Sequence, residues 1–495
     1  MTLVPGIEKV LIANRGEIVV RVASTLRRLE IASAAIVHPE EADSPAARAV
    51  DETCPIDGET PVAAYLDAER IVEIALRIGA DAVHPGYGFL SENADFAEAV
   101  ERAGIRWIGP TPASIRLMGD KIESRRFVAN LGYPLTPSAN EEDAPSDFAE
   151  RAQAIGFPLL IKPSAGGGGK GMQIVRAEDE LAPAIELARS EAERYFKDGR
   201  IFAERYIDEP RHIEVQILAD THGHVLHLGE RDCSIQRRFQ KLIEETPAPG
   251  MERELRDRIC AQAVGIARAA GYQSAGTVEF ILTPKGEFYF LEMNTRLQVE
   301  HPITEMVTGI DLVEEQIRIA AGEVLSFVQE EIRFEGAAIE CRICAEDPDH
   351  DFRPAVGPLL LVRPADGLGV RFDSGIEAGQ TVSTAFDPML AKVIVHGRDR
   401  NEAIRRARDA LERTVILGCV TNCDFLGRIL AHPEFKAGSV DTGFIPTHAA
   451  DLARPSMSRE ERAALLAVAA LSNRDFLERV EAVPEPYASI GAWQN

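Results

Sequence analysis

The chain has 495 residues, with 54 Lys and Arg against 79 Asp and Glu, and a formal net charge of −25. Such a length exceeds one small core, so two to four domains of roughly 100–200 residues are expected, and 45% hydrophobic with 27% charged residues excludes disorder or fibrous structure for most of it. The acidity argues against nucleic acid or an anionic membrane as partner, because phosphate surfaces select positive faces, but it leaves room for a local basic pocket.

The first ten residues lack the basic stretch and apolar run of a secretory leader. The longest alanine/leucine run, Ala463 to Leu471, is far short of the ~20 apolar residues of a membrane span. Seven scattered cysteines read as reduced thiols, consistent with a cytoplasmic compartment. Cys341 and Cys344 form a C-x-x-C without a second pair, and plain buried thiols are expected there.

In chain order, Lys9 to Ala13 is a short apolar strand, followed by Asn14-Arg15-Gly16-Glu17 and a helical pattern to Leu29. Ser33 to Val37, Ala82 to His84 and Trp107 to Ile108 are further strands, and this alternation predicts a parallel α/β sheet. Ligands of such sheets bind at the carboxyl ends of strands, where the loops 14–17 and 84–93 fall. Near Ser114 the texture changes. Phe157 to Lys162, a glycine loop from Ala165 to Gly171, and Met172 to Val175 read as strand, loop, strand, whereas a P-loop or Rossmann fingerprint needs a helix after the glycines. Ile213 to Ala219, Thr277 to Leu282 and Phe288 to Glu292 alternate like antiparallel strands, and a helix is expected from about Leu312 to Ala321. Gly336 opens another strand-rich stretch containing an amphipathic helix, Asn401 to Arg413. Ser458 with Glu461 then fits a capping box before an alanine-rich helix.

Three constellations carry chemistry. Gly166 to Gly169, Lys170 and Gly171 let backbone N–H groups approach phosphate oxygens, with Lys162 and Lys121 as ammonium donors. Glu279 on one strand, and Glu292 with Asn294 on one face of the next, form an oxygen cage suited to Mg²⁺ or Mn²⁺ held jointly with phosphates. Arg296, Gln298 and Glu300 combine an anion fork, a donor and a proton acceptor, with the basic run Gln236 to Lys241 upstream and Arg342 beside Glu340. Taken singly, each of these arginines reads as a surface ion pair.

Together, ANRGEI (Ala13–Ile18), HPGYGFLSEN (His84–Asn93), GGGGKGM (Gly166–Met172), RDCSIQRR (Arg231–Arg238) and EMNTRLQVEHP (Glu292–Pro302) resemble the biotin carboxylase component of biotin-dependent carboxylases, in the ATP-grasp superfamily. The resemblance runs from about Lys9 to Ile445. It implies an α/β fold, α+β in its central part: an N-terminal Rossmann-like parallel-sheet domain over 1–115, an ATP-grasp domain over 116–330 with a glycine-loop lid at about 136–205, and a mixed α/β C-terminal domain over 331–447. Residues 448–495 would be a helical tail.

The resemblance further implies ATP contacts at Lys121, Lys162, His212 and Gly166, Gly167, Gly168 and Gly169, with Glu204, Ile207, Gln236 and Leu282 around the nucleoside. Glu279, Glu292 and Asn294 would hold Mg²⁺ or Mn²⁺. Lys241, Arg296, Gln298 and the Val299 backbone would bind bicarbonate, with Glu300 as general base. Arg342 would face the biotin ureido oxygen, and Tyr87 and Gly88 would line the biotin pocket. The implied reaction is ATP-dependent carboxylation of carrier-bound biotin through carboxyphosphate. The implied partners are a biotin carboxyl carrier, a carboxyltransferase, and further copies in a homo-oligomer or larger complex, with no nucleic acid and no membrane.

One position departs from the resemblance. Phe239 stands where the family carries His or Asn, and loss of a hydrogen bond to a charged nucleotide, worth about 1.5–3 kcal/mol, predicts weaker ATP binding. None of the eight methionines flanks a lysine as in the biotinylated carrier motif, so the carrier is expected elsewhere. Ala488 to Asn495, with Trp493, resembles the start of the linking domain of acyl-CoA carboxylase α subunits, which implies a longer polypeptide. The competing readings are another bicarbonate-phosphorylating ATP-grasp ligase, such as half of carbamoyl-phosphate synthetase, and a silent nucleotide-binding subunit.

Overall fold

A computed structural model describes residues 4–164, 171–455 and 457–471. β1 (Lys9–Ile12), β2 (Ala32–Val37), β3 (Glu52–Pro55), β4 (Ala82–His84) and β5 (Arg106–Trp107) form a parallel sheet of order β3-β2-β1-β4-β5. β3 had no signal in the sequence. It is an edge strand with only Cys54 buried, so it lacks the apolar run that marks the others. The order reverses between β1 and β4, the switch point at which open α/β sheets bind ligands. The helix Glu17–Arg28 starts there, with its acidic residue in the first turn and Arg27 and Arg28 in the last, as the helix dipole favours.

β6 (Ser138–Asn140), β7 (Leu159–Pro163), β8 (Gln173–Val175) and β9 (Ile201–Arg205) form a second sheet of order β6-β9-β7-β8. The helices Phe148–Ile155 and Glu178–Phe196 share its small core with Leu159, Ile161, Val175 and Ile201. β7 and β8 are antiparallel, Leu159 opposite Val175. The glycine loop between them, Gly166 to Gly169 included, lies outside the described residues.

The third sheet has eight strands: β10 (Arg211–Ala219), β11 (Val225–Arg237), β12 (Gln240–Thr246), β13 (Ser274–Leu282), β14 (Phe288–Asn294), β15 (Ala337–Cys344), and the strands Val370–Ser374 and Met389–Gly397. Their order is β14-β13-β10-β11-β12-β15, then Met389–Gly397, then Val370–Ser374, all antiparallel. β12 pairs with β15, placing Glu244 opposite Glu340, so a single sheet runs across residue 330. Side chains from both sides of that position therefore reach one surface.

Residues from Ala453 onward form a separate unit. Its described part is the helix Arg459–Leu471. Ser458 Oγ accepts from the Glu461 N–H at 3.1 Å and Glu461 Oε2 accepts from the Ser458 N–H at 2.9 Å, the capping box read in the sequence. Val483 to Asn495 lie outside the described residues.

Candidate functional site

A cleft of about 2230 Å³ runs from the lid sheet, past the carboxyl ends of β1 and β4, to the face of the large sheet. Strand register builds its floor. Glu292, Glu279, Glu214 and Arg231 stand side by side across β14, β13, β10 and β11. Alternation at period two puts all four on one face, and His212 on β10 joins them.

These charges are densely paired. Lys241 Nζ, from β12, donates to Glu300 Oε1 at 2.6 Å, to Glu279 Oε1 at 2.9 Å, and to Glu214 Oε2. Arg231, itself fully buried, holds the other Glu214 oxygen. Glu279 also receives His212 Nε2 at 2.8 Å and Asn294 Nδ2 at 2.8 Å, and Gln236 Nε2 lies 2.6 Å from His212 Nδ1. Burial alone would raise the Glu279 carboxyl, but Lys241 and His212 outweigh it and hold it far below the usual range. Glu292 is half-buried and meets Lys121 Nζ at 3.1 Å.

At the lid end, Glu204 on β9 is buried and clamped by Lys162 Nζ at 2.7 Å, Arg125 at 2.9 Å and Thr136 Oγ1 at 2.9 Å. Desolvation opposes its charge, yet Lys162 and Arg125 prevail and its pKa falls to about 2. Lys162, Glu204, Ile207, His212 and Gln236 all line the cleft. Leu282 does not: it packs in the core with Phe280 and Phe288, and its neighbour Ile281 faces the cleft. Period-two alternation from Glu279 requires this, so on this strand it is Ile281, and not Leu282, whose side chain faces the cleft.

The segment 294–300 closes the other end. Arg296 reaches Glu92 Oε2 at 2.9 Å, Gln298 Oε1 at 3.0 Å and Asn294 Oδ1 at 3.2 Å. Gln298 Nε2 reaches Glu279 at 3.3 Å. Glu300, with no exposed surface, lies between Lys241 and Arg342, whose Nη2 is 2.8 Å from its Oε2. Burial would raise this carboxyl, but Lys241, Arg342 and Arg231 hold it well below the usual range. Arg342 also binds Glu244 Oε1 at 2.6 Å.

The loop after β4 is held by Asn14, whose Nδ2 donates to the carbonyls of Pro85 at 2.6 Å and Tyr87 at 2.8 Å. Gly86 has φ of 64°, and a Cβ there would lie 2.8 Å from Asn14 Nδ2, so this close approach requires glycine. The loop delivers Tyr87 and Gly88 to the cleft wall.

The predicted residues thus line the cleft, apart from Leu282, the glycines outside the described residues, and Glu300, which sits fully buried behind Lys241 and Arg342 of the wall. Sequence reasoning missed Arg125, Glu92, Glu214, Glu244 and Lys392. Glu214 was findable, since it follows His212 by two on a strand and so shares its face. Arg125 and Lys392 carry no local signal. Cys341 and Cys344 are buried free thiols.

Charge balance fits a divalent cation at Glu279 and Glu292. Two carboxylates in register, with the amide of Asn294 on the same strand face as Glu292, form a hard-donor set, and here the Lys121 and Lys241 ammonium groups meet the carboxylates' demand for positive charge.

The fold and the cleft define an ATP-grasp ligase. Residues 6–115 match the biotin carboxylase N-terminal domain, 120–328 the carbamoyl-phosphate synthase L chain ATP-binding domain, and 340–447 the biotin carboxylase C-terminal domain. The biotin carboxylase of Haemophilus influenzae is 47% identical over 444 residues, which cover 89% of this chain and 98% of that protein. The mitochondrial methylcrotonoyl-CoA carboxylase subunit alpha of Rattus norvegicus is 48% identical over 452 residues, or 90% of this chain, and the chain spans only 63% of that relative's length. Among solved structures, the biotin carboxylase domain dimer of Hydrogenobacter thermophilus 2-oxoglutarate carboxylase, in complex with MgADP, ADP and bicarbonate, superposes with a TM-score of 0.89 at 44% identity, covering 91% of this chain and 99% of that one. The chain belongs to the biotin carboxylase family, whose reaction is the ATP-dependent carboxylation of biotin. Among the described residues, no helix is long and apolar enough to cross a membrane.

Proposed function

We propose that the chain performs the first half-reaction of an acyl-CoA carboxylase in the cytoplasm, activating bicarbonate with ATP and passing the carboxyl group to biotin. The biotin would arrive on a separate carrier domain or protein, and a carboxyltransferase would complete the turnover. Similarity to a methylcrotonoyl-CoA carboxylase α subunit supports the acyl-CoA carboxylase reading, and the dimeric neighbour supports a homo-oligomer. The segments 1–115, 116–330 and 331–447 are its working parts, with 136–205 as the lid over the nucleotide.

The observation that carries this reading is Glu300, buried and paired with both Lys241 and Arg342. Lys121, Lys162 and His212 take the ATP phosphates, together with Gly166 to Gly169. Glu204, Ile207, Gln236 and Ile281 surround the nucleoside. Glu279 and Glu292, with Asn294, would hold Mg²⁺ or Mn²⁺, which supplies charge neutralisation of the phosphates. Lys241, Arg296, Gln298 and the Val299 backbone seat bicarbonate.

Incoming bicarbonate competes with Glu300 for the Lys241 ammonium. Weakening that pair raises the basicity of Glu300, which then accepts the bicarbonate proton. The freed oxygen attacks the γ-phosphorus, ADP leaves and carboxyphosphate forms. Its breakdown yields CO₂ and phosphate, the phosphate takes the biotin N1′ proton, and the nitrogen attacks CO₂. Arg342 stabilises the oxyanion that develops on the ureido carbonyl. Tyr87 and Gly88 border the biotin pocket. ADP release by the purified chain with ATP, Mg²⁺, bicarbonate and free biotin tests the reading. Omission of bicarbonate or biotin is expected to lower the rate, and a rate indifferent to both would overturn it.

A further inference from the structure

Lys392 lies within the strand Met389–Gly397, has no exposed surface, and pairs in register with Arg342 on β15. Its ammonium has three protons to place. One is donated to the Val299 carbonyl at 2.8 Å and one to Glu17 Oε1 at 2.9 Å. The remaining side faces Asp373 Oδ2 at 3.8 Å and the Tyr87 ring at 5.9 Å.

Glu17 Oε1 also accepts from the Tyr87 hydroxyl. The chain of contacts from Val299 through Lys392 and Glu17 to Tyr87 therefore joins the segment 294–300 to the loop after β4. The surrounding backbone packs closely against this link. The segment after Asp373 passes so near the helix start that a Cβ on Gly375 would lie 2.7 Å from the Glu17 nitrogen. Asp373 is fixed by Arg371 at 2.7 Å, and Arg371 and Arg21 both bind Glu305 at 2.7 Å. Lys392 touches neither the nucleotide end of the cleft nor its lid.

We propose that Lys392 is a positioning residue that sets the bicarbonate-side segment and the biotin-side loop against each other, so that these two substrates are placed as one unit. The proposal rests on the assignment of Val299 to bicarbonate and Tyr87 to biotin made above. A lysine with a purely structural role would lower the amount of active enzyme, and with it kcat, without selecting among substrates. A positioning lysine splits the KM values.

The test is steady-state ADP release by the full chain. Lys392→Met alone leaves Glu17 buried without its cation, so it is paired as Lys392→Met/Glu17→Gln and accompanied by Lys392→Arg and Tyr87→Phe. In the double variant, KM for bicarbonate and for free biotin is expected to rise about tenfold or more while KM for ATP stays within about twofold. Lys392→Arg restores part of the loss. Tyr87→Phe removes only a hydroxyl, unpairs no cation and lies outside the 294–300 segment, yet it is expected to raise KM for bicarbonate at least about threefold. If the double variant does not fold, Tyr87→Phe decides. An unchanged KM for bicarbonate in the folded variants, or a parallel rise in KM for ATP, overturns the proposal. ADP release by the unaltered chain that ignores bicarbonate and biotin would instead overturn the functional reading beneath it.

Discussion

Lys241 Nζ stands 2.6 Å from Glu300 Oε1 while also bonding Glu214 and Glu279, so one buried ammonium serves three buried carboxylates. The two ends of the Lys241–Glu300 pair are therefore unequal. Lys241→Gln strips three carboxylates of their shared cation and is expected to cost about 3–5 kcal/mol of stability, read by urea unfolding. Glu300→Gln leaves Lys241 with Glu214 and Glu279, and Arg342 with Glu244, so stability should hardly change while biotin-dependent ADP release falls by about 10²–10⁴. Equal destabilisation by both changes would contradict this arrangement.

Glu204 makes a pH prediction for stability. Against desolvation, its pKa is lowered to about 2 from the ordinary carboxyl value of 4.5 by the Lys162 and Arg125 charges. The stabilisation is therefore complete above pH 4.5 and disappears as the pH falls toward 2. The shift corresponds to about 3 kcal/mol. Glu204→Gln is expected to flatten the stability curve across that window and to destabilise the protein at neutral pH, because Lys162 and Arg125 lose their counter-charge. A curve of unchanged slope would refute it.

Phe239 occupies an unusual turn. Arg238 and Phe239, at φ of 49° and 66°, form the two-residue turn between Arg237 and Gln240, which pair across β11 and β12. Both central residues need positive φ, a conformation that asparagine tolerates better than phenylalanine. The ring is 40% exposed and lines the cleft. Phe239→His is expected to lower KM for ATP by restoring a polar contact, and Phe239→Asn to raise the melting temperature slightly. Equal KM values for ATP would remove Phe239 from nucleotide recognition.

Removing divalent cations should abolish ADP release, with Mg²⁺ or Mn²⁺ restoring it. Glu292→Gln should raise the concentration of Mn²⁺ giving half-maximal rate by about tenfold or more, because a carboxylate is lost from the donor set. The fold should survive, since among the described residues the ion pair of half-buried Glu292 is with Lys121 at 3.1 Å. Unaltered Mn²⁺ dependence would move the cation away from Glu292.

The loops were more legible in the sequence than the registers. The alternation of strand and helix placed loops 14–17 and 84–93 at the carboxyl ends of their strands, and Asn14 meets the second loop there beside Gly86. Glu279, Glu292 and Asn294 were legible because alternation in a strand is a strong constraint. The same rule, not applied from Glu279 onward, would have selected Ile281 over Leu282. Long-range partners were hidden. Arg125 serves Glu204 across 79 positions, and Lys392 serves Val299 across 93, through tertiary pairings that no local pattern encodes. The sheet crossing residue 330 was invisible for the same reason, because β12 and β15 are joined only by folding.

In the proposed reaction, bicarbonate itself attacks the γ-phosphorus of ATP in this cleft. The most direct test is turnover with ¹⁸O-labelled bicarbonate and unlabelled ATP in the presence of biotin, followed by mass analysis of the released phosphate. One bicarbonate oxygen is predicted in each phosphate formed during biotin carboxylation, with the transfer nearly lost in Glu300→Gln. Phosphate carrying only solvent oxygen, alongside normal ADP release, would mean that water is the nucleophile and would contradict the account.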